Sequence, residues 1–387
     1  MSMHRMLAGL ALAAGLVAAG ASARAATLPR FTAIDLGPGT TATALNASGQ
    51  VTGAVIVDGT DRAFVTGADG VGLSLLPTLG GPRSWGTAIN DRGQVVGDSF
   101  LSDDMRTGLR HAFVTGANGQ GITDLGTLGG IWAYCNGCSR ATGINNDGVV
   151  VGEAADPAHN PRIFVAEPAD YTVLRTITLG NGTLYGGPIN NQGWIAGTVN
   201  LGGDYTPLLI RADGGSSIPL AHDTELRQPA MMGINDAGQV VGDYFFTSWQ
   251  RDAFVTDAGG SNLRRLRDVG ANGSTANDIN NAGWVVGVSY PDTGIGRRAF
   301  LAAANGSVVV DLNTLVSLPD GMVLNVATAI NEQGQIVANS DLGHAWLLTP
   351  ETLDGSLPAP PPVPEPATWA LWLAGLALPL LRRWRRH

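Results

Sequence analysis

The feature that most constrains this chain is a motif that recurs seven times. Isoleucine or leucine, then asparagine, two variable residues and glycine return at spacings of 44, 55, 45, 45, 45 and 51 residues. Self-similarity at a period of this size indicates a repeat architecture. The seven asparagines are Asn46, Asn90, Asn145, Asn190, Asn235, Asn280 and Asn331.

Each unit is predicted to form four short strands. In the second unit, strands are expected at 86–90, 94–100, 110–115 and 122–128, with a tight turn at Asp91-Arg92-Gly93. The asparagine before this turn can accept a hydrogen bond from the backbone two residues on, and the glycine takes the left-handed conformation that closes a bulged hairpin. We therefore interpret the recurring asparagines as structural rather than catalytic.

Two further positions recur in the units. A second glycine follows the first by four residues, as in Gly53 and Gly97, with Ala338 in the last unit, and predicts close approach of a neighbouring strand. The third strand carries an aromatic residue, such as Phe64 or Phe113, in all units but the fourth. We expect this ring to pack between repeats.

The order of the strands predicts how the repeats close. The seventh unit ends without a fourth strand, and an orphan strand, Phe31 to Gly37, precedes the first asparagine. Pairing the two would remove an open sheet edge. Residues 26–350 are therefore predicted to form an all-β fold, a seven-bladed β-propeller of four-stranded blades closed by the N-terminal strand. A β-solenoid is the alternative, but units of 44 to 55 residues fit blades better than uniform coils.

Charge excludes one class of partner. The chain has no lysine, and residues 26–366 contain 17 arginines and 32 acidic residues, a net charge of −15. A body this acidic repels phosphate backbones, so nucleic acid is not an expected partner.

Both ends of the chain are predicted to be targeting segments. Arg5, an apolar run at 6–19 and Ala23-Arg24-Ala25 form a signal peptide, 1–25. At the other end, a proline-rich linker at 351–366 is expected to act as a semi-rigid spacer. It precedes a short apolar helix and an arginine-rich tail at 367–387, which would cross a membrane only marginally.

The sequence resembles two known families. Val363-Pro364-Glu365-Pro366, the apolar segment and the arginine cluster resemble the PEP-CTERM sorting signal of Gram-negative bacteria. That resemblance implies recognition and cleavage by an exosortase, often in species that make exopolysaccharide; an uncut tail anchor is the alternative. His111-Ala112-Phe113, with the repeat motif and the string 124–130, resembles the HAF family of extracellular repeats over about residues 31–350.

Few residues point to chemistry. The histidines are scattered among units, no catalytic string is present, and no cofactor or metal is expected. Cys135 and Cys138 are predicted to form a local disulfide, half of a zinc site being the alternative. Exposed aromatic rings in loops can stack on sugars; the alternative is that each ring covers its own blade edge. The candidates are Trp85, Trp132, Tyr134, Tyr185, Tyr205, Trp249 and Tyr290.

These observations lead to a functional expectation. We expect a non-enzymatic surface or extracellular-matrix protein that acts as a binding or scaffold propeller, with an extracellular polysaccharide as a possible partner. Signal peptidase and an exosortase-like protease would process it, and only the C-terminal helix would enter a membrane. The alternative is a secreted polysaccharide-active hydrolase or lyase on the same ring. A cluster of paired carboxylates at the centre would favour that alternative.

Overall fold

The computed structural model describes residues 28–103, 108–132, 135–180, 182–220, 227–245, 250–266, 272–291, 296–319 and 321–361, without the side chains of Trp132, Cys135 and Asn136. The predicted signal peptide, sorting motif and C-terminal helix lie outside these residues. Within the described ranges, no helix is long and apolar enough to cross a membrane.

In this part of the chain, the strands form seven four-stranded antiparallel sheets, the blades of a propeller. Blade 7 takes β1 (Phe31–Pro38) as its outermost strand. Blade 1 contains β2 (Thr40–Leu45), β3 (Val51–Val57), β4 (Thr60–Val65) and β5 (Ser74–Leu75), and blade 2 contains β6 (Ser84–Ile89), β7 (Val95–Phe100), β8 (Arg110–Val114) and β9 (Thr123–Gly126). A short ribbon of β10 (Ile131–Trp132) and β11 (Cys135–Asn136) follows. Blade 3 contains β12 (Ser139–Ile144), β13 (Val150–Ala155), β14 (Pro161–Glu167) and β15 (Asp170–Ile177). Blade 4 contains β16 (Thr183–Ile189), β17 (Trp194–Leu201), β18 (Asp204–Arg211) and β19 (Ser217–Pro219), and blade 5 contains β20 (Arg227–Ile234), β21 (Val240–Phe245), β22 (Arg251–Val255) and β23 (Arg264–Arg265). Blade 6 contains β24 (Ser274–Ile279), β25 (Trp284–Ser289), β26 (Arg298–Ala303) and β27 (Val309–Asp311). The inner strands of blade 7 are β28 (Leu324–Ile330), β29 (Ile336–Ser340) and β30 (His344–Pro350). Short 3-10 turns lie at Ala68–Gly70, Ala117–Gly119, Ala258–Gly260 and Leu312–Thr314.

The predicted closure is confirmed. β1 pairs antiparallel with β30, from Phe31 opposite Pro350 to Asp35 opposite Trp346. Phe31 is buried, and the backbone N–H of Glu351 donates to the Arg30 carbonyl at 2.7 Å. The N-terminal strand thus completes the last blade and joins the two ends of the ring.

The glycine of the second strand lies where a neighbouring backbone approaches, as expected. A Cβ atom on Gly97 would lie 1.8 Å from the Trp85 carbonyl oxygen. The approach coincides with a register shift in the first strand after Gly86. The aromatic ring of the third strand also packs as expected, since Phe113 is fully buried against Ala63 and Val65 of the preceding blade.

The antiparallel order gives the ring two distinct faces. Connections from first to second and from third to fourth strands emerge on one side, which we call the turn face. Connections from second to third strands and between blades emerge on the other side, which we call the loop face. The recurring asparagines lie on the turn face, where each first strand ends.

Candidate functional site

The recurring asparagines form a continuous ring around the propeller axis. The Nδ2 of each asparagine donates to the backbone carbonyl of the corresponding asparagine in the next blade, at 2.9 to 3.4 Å, and Asn331 closes the circle onto Asn46. The Oδ1 of Asn90 accepts from the backbone N–H groups of Arg92 and Gln94. Each side chain therefore shapes its own turn, as predicted, and also joins two blades, which was not foreseen.

A second ring lies directly outside the first, on the turn face. Its members are the residues that follow the asparagines, and in six blades they carry a side-chain oxygen that accepts from the backbone N–H of the preceding blade. We call this ring the rim; it contains Ala47, Asp91, Asn146, Asn191, Asp236, Asn281 and Glu332. Ala47 has no side-chain oxygen, so the pattern is interrupted between blades 7 and 1.

The two rings surround a central cavity of about 210 Å³, which we call the axial cup. Its wall consists of the aliphatic residues that precede the asparagines, the asparagine ring and the rim. One further side chain, that of Asp278, reaches the cavity from blade 6. The cup is therefore lined by amide and carboxylate groups together with aliphatic side chains, and it lies on the turn face.

Asp278 departs from the repeat. The residue two places before the asparagine is otherwise small or cyclic, namely Ala44, Ala88, Gly143, Pro188, Gly233 and Ala329. The Asp278 carboxylate accepts from the backbone N–H groups of Ile279 and Ile330, each at 2.9 Å. Protein surrounds the carboxylate although its side chain still touches the cup, and burial raises its pKa to about 7. Asp278 can thus hold or release a proton near neutral pH.

The pKa of the rim residue Glu332 is raised. Burial raises the pKa of Glu332, and the negative charges of Asp236 and Asp91 raise it further against an opposing hydrogen bond from the Asn281 backbone. No group of three histidine, cysteine, aspartate or glutamate residues in the described ranges has the geometry to hold a metal ion. The chemistry available in the cup is proton transfer or attraction of a positively charged group.

The structure describes the side chains of four of the seven aromatic candidates. Tyr185 and Tyr205 stack with ring centroids 6.4 Å apart on blade 4. Trp85 packs on Phe100 of its own blade, and the guanidinium of Arg297 lies 5.8 Å from the Tyr290 ring centre. Tyr134, Trp249 and the side chain of Trp132 lie outside the described residues. Among the candidates described, only Tyr185 and Tyr205 are brought together.

The histidines of the third strand have partners on the neighbouring outer strand. His111 pairs with Asp124 and His344 with Asp35, with Nδ1 to carboxylate distances of 2.9 Å. In blade 5 the charges are exchanged, since Asp252 on the third strand pairs with Arg265 on the fourth. These contacts pair strands within a blade and lie away from the axial cup.

The cysteine pair is described only in part. Cys138 is buried and disulfide-bonded. The side chain of Cys135 is outside the described residues, so the pairing of the two cysteines remains a prediction.

Sequence reasoning missed Asp278 and the rim. Both occupy fixed positions relative to the recurring asparagine, and a column-by-column comparison of the seven units would have shown one aspartate among small or cyclic residues. Their convergence on one cavity depends on closure of the ring.

Comparison with known proteins supports the fold. No protein-family model and no curated protein sequence matches the chain. The chain is similar to the β-propeller domain of the Trilobed protease from Pyrococcus furiosus, at 9% identity and a TM-score of 0.53, over 87% of this chain and 100% of that domain. It is also similar to virginiamycin B lyase from Staphylococcus aureus, at 11% identity and a TM-score of 0.53, over 82% and 99% of the two chains. An oligogalacturonate lyase in complex with manganese is similar at 12% identity and a TM-score of 0.53, over 86% and 97%. Likenesses at such low identity show the β-propeller fold alone.

Proposed function

We propose that the protein is exported, sorted by its C-terminal signal and retained at the cell surface or in the extracellular matrix, where it acts as a non-enzymatic binding or scaffold propeller associated with exopolysaccharide. Signal peptidase and an exosortase-like protease are its proposed processing partners. The signals at 1–25 and 363–387 support export and sorting.

One observation carries the scaffold assignment. The polar side chains that recur around the axis bind the neighbouring blade. Each asparagine donates to a backbone carbonyl of the next blade, and six rim residues accept from a backbone N–H group of the preceding blade. The repeat therefore uses its polar groups to hold the ring together. Residues that differ between blades, and could therefore recognise a ligand, lie in the connections of the loop face.

Tyr185 and Tyr205 are the proposed sugar-stacking residues. Tyr185 is 37% exposed, and the two rings form one aromatic surface on the loop face. A flat exposed ring can cover the apolar face of a sugar. Replacement Tyr185→Ala is expected to weaken retention on isolated host exopolysaccharide at least several-fold. Leu342→Ala, at an aliphatic site on the same face that is 58% exposed, is the control and should leave retention unchanged.

Export and sorting are tested in the host cell. We expect the intact mass of the native protein to lack both end segments, and the protein to leave the membrane fraction. Replacement of Pro364 and Glu365 by alanine should abolish C-terminal processing. An unprocessed C-terminus in the membrane fraction of the unchanged protein would contradict the sorting proposal and leave a tail-anchored propeller.

A polysaccharide-active enzyme is the second candidate, and the axial carboxylates favour it. Asp278, with a pKa of about 7, is suited to donate a proton, and Asp91, Asp236 and Glu332 lie around the same cavity. Purified protein incubated with the exopolysaccharide distinguishes the candidates. Binding without new reducing ends or unsaturated products supports the scaffold; turnover that Asp278→Ala abolishes supports the enzyme.

A further inference from the structure

The first part of the proline-rich segment lies on the ring. Residues 351–361, which we call the strap, run from blade 7 to blade 6. The Leu357 N–H donates to the Gln333 carbonyl at 2.7 Å, and the Leu357 side chain is buried in the same apolar cluster as Trp284. The sequence predicted a spacer here, and the structure shows that its first eleven residues follow the propeller surface.

Three more contacts fix the far end of the strap. The Trp284 Nε1–H donates to the Pro358 carbonyl at 2.8 Å. The Pro361 carbonyl accepts from Asn305 Nδ2 at 3.0 Å and from Ser307 Oγ at 2.8 Å. The chain is therefore held on blade 6 up to residue 361.

All of these contacts lie on the turn face. Gln333 belongs to the first turn of blade 7, and Asn305 and Ser307 lie between the third and fourth strands of blade 6. The chain also enters the propeller here, because Arg30 contacts Glu351 at the start of β1. Both ends of the ring thus leave from the face that carries the axial cup.

We infer that, in the membrane-anchored form, the turn face is directed toward the membrane and the loop face away from it. This inference rests on the proposed role of 367–387 as a membrane anchor. Five residues separate Pro361 from that segment. Even fully extended, the six Cα–Cα steps from Pro361 to residue 367 span about 20–22 Å, at ~3.3–3.6 Å per residue. A tether this short, attached to one face, restricts rotation of the ring.

The charges of the turn face are compatible with this arrangement. Asp91, Asp236 and Glu332 are repelled by anionic lipids, so the ring is not expected to lie flush on the surface. At physiological salt the screening length is about 8 Å. If the gap between the ring and the membrane surface approaches the length of the tether, salt screens most of the repulsion. The tether still sets the orientation of the ring.

The orientation has a functional consequence. The axial cup faces the membrane, where a long polymer has poor access. Tyr185 and Tyr205 face outward with the loop connections. In the anchored precursor, extracellular polymer therefore meets the loop face first.

Fluorescence quenching from the bilayer tests the inference. The chain without 1–25 is reconstituted in phosphatidylcholine vesicles that carry a nitroxide on the lipid headgroup. A fluorophore is attached either at Ala237→Cys, an exposed position of the turn face, or at Leu342→Cys, an exposed position of the loop face. We expect quenching at position 237 to be several-fold stronger than at position 342.

The remaining outcomes separate the two proposals. Failure of the protein to float with the vesicles would overturn the anchor and, with it, the inference. Flotation with equal or reversed quenching would overturn the orientation alone. Insertion of twenty glycine and serine residues between 361 and 362 lengthens the tether without altering the ring. That variant should float normally and lose the difference between the two positions; if it keeps the full difference, the tether does not set the orientation.

Discussion

His344 and Asp35 lie 309 residues apart in sequence, and their side chains pair at 2.9 Å across the two strands that close the ring. The same arrangement recurs in blade 2, where His111 and Asp124 are only 13 residues apart. In both blades the aspartate also accepts from the backbone N–H of the glycine two residues on, Gly37 or Gly126. One local module is thus used once within a blade and once to join the ends of the chain.

Removal of the closing pair is expected to loosen β1 selectively. Both Asp35→Ala and Asp124→Ala break a half-exposed pair and a turn hydrogen bond, at a cost of about 1 kcal/mol each. Within the described residues, β30 is the one strand that pairs with β1, and β1 is not joined to its blade by a preceding hairpin as β9 is. Asp35→Ala should therefore accelerate amide hydrogen exchange along 31–35, whereas Asp124→Ala should act within blade 2. Equal exchange in β1 for both variants would show that the pair does not secure the closure.

The interruption of the rim at Ala47 predicts a stabilising substitution. Six rim residues accept from the preceding blade, and Ala47→Asn would supply the missing acceptor to the Glu332 N–H. One added hydrogen bond contributes about 0.5–1.5 kcal/mol. Urea unfolding should show this gain, while Ala237→Asn, one position beyond the rim in blade 5, should show none. A gain for both variants would indicate a general turn preference of asparagine instead.

The repeat made the fold predictable from the sequence, but it did not reveal the axial cup or the surroundings of Asp278. Asn90, Gly93 and Gly97 define a turn and a close approach that depend on neighbours within one unit, so sequence spacing sufficed. The surroundings of Asp278 depend on Ile330, which reaches it only when blades 6 and 7 pack. The strap was misjudged for a similar reason, because proline content indicates an extended chain but gives no sign that Leu357 packs beside Trp284.

The raised pKa of Asp278 predicts that the free energy of unfolding falls as pH rises. Its pKa is about 7 in the folded protein and 3.8 when exposed, so between these values the folded state binds more protons than the unfolded state. The free energy of unfolding must then decrease with pH across this window. We expect Asp278→Ala to flatten the decrease between about pH 4 and 7, whatever its effect on absolute stability. Denaturant unfolding at pH 5 and pH 8 measures the difference; an unchanged slope in the variant would exclude Asp278 as its source.

The strap offers two leucines for a matched test of its docking. Leu357 is buried against the ring, and Leu353 is fully exposed. Truncation of a buried leucine to alanine costs at least about 2 kcal/mol. If the cost falls on local opening, the open fraction of the strap rises about 30-fold, and cleavage by a non-specific protease rises in proportion. Leu357→Ala should therefore accelerate cleavage within 351–361, while Leu353→Ala should not. Equal cleavage of both variants would mean that the Leu357 contact does not hold the strap, since each substitution removes the same side chain from the same segment.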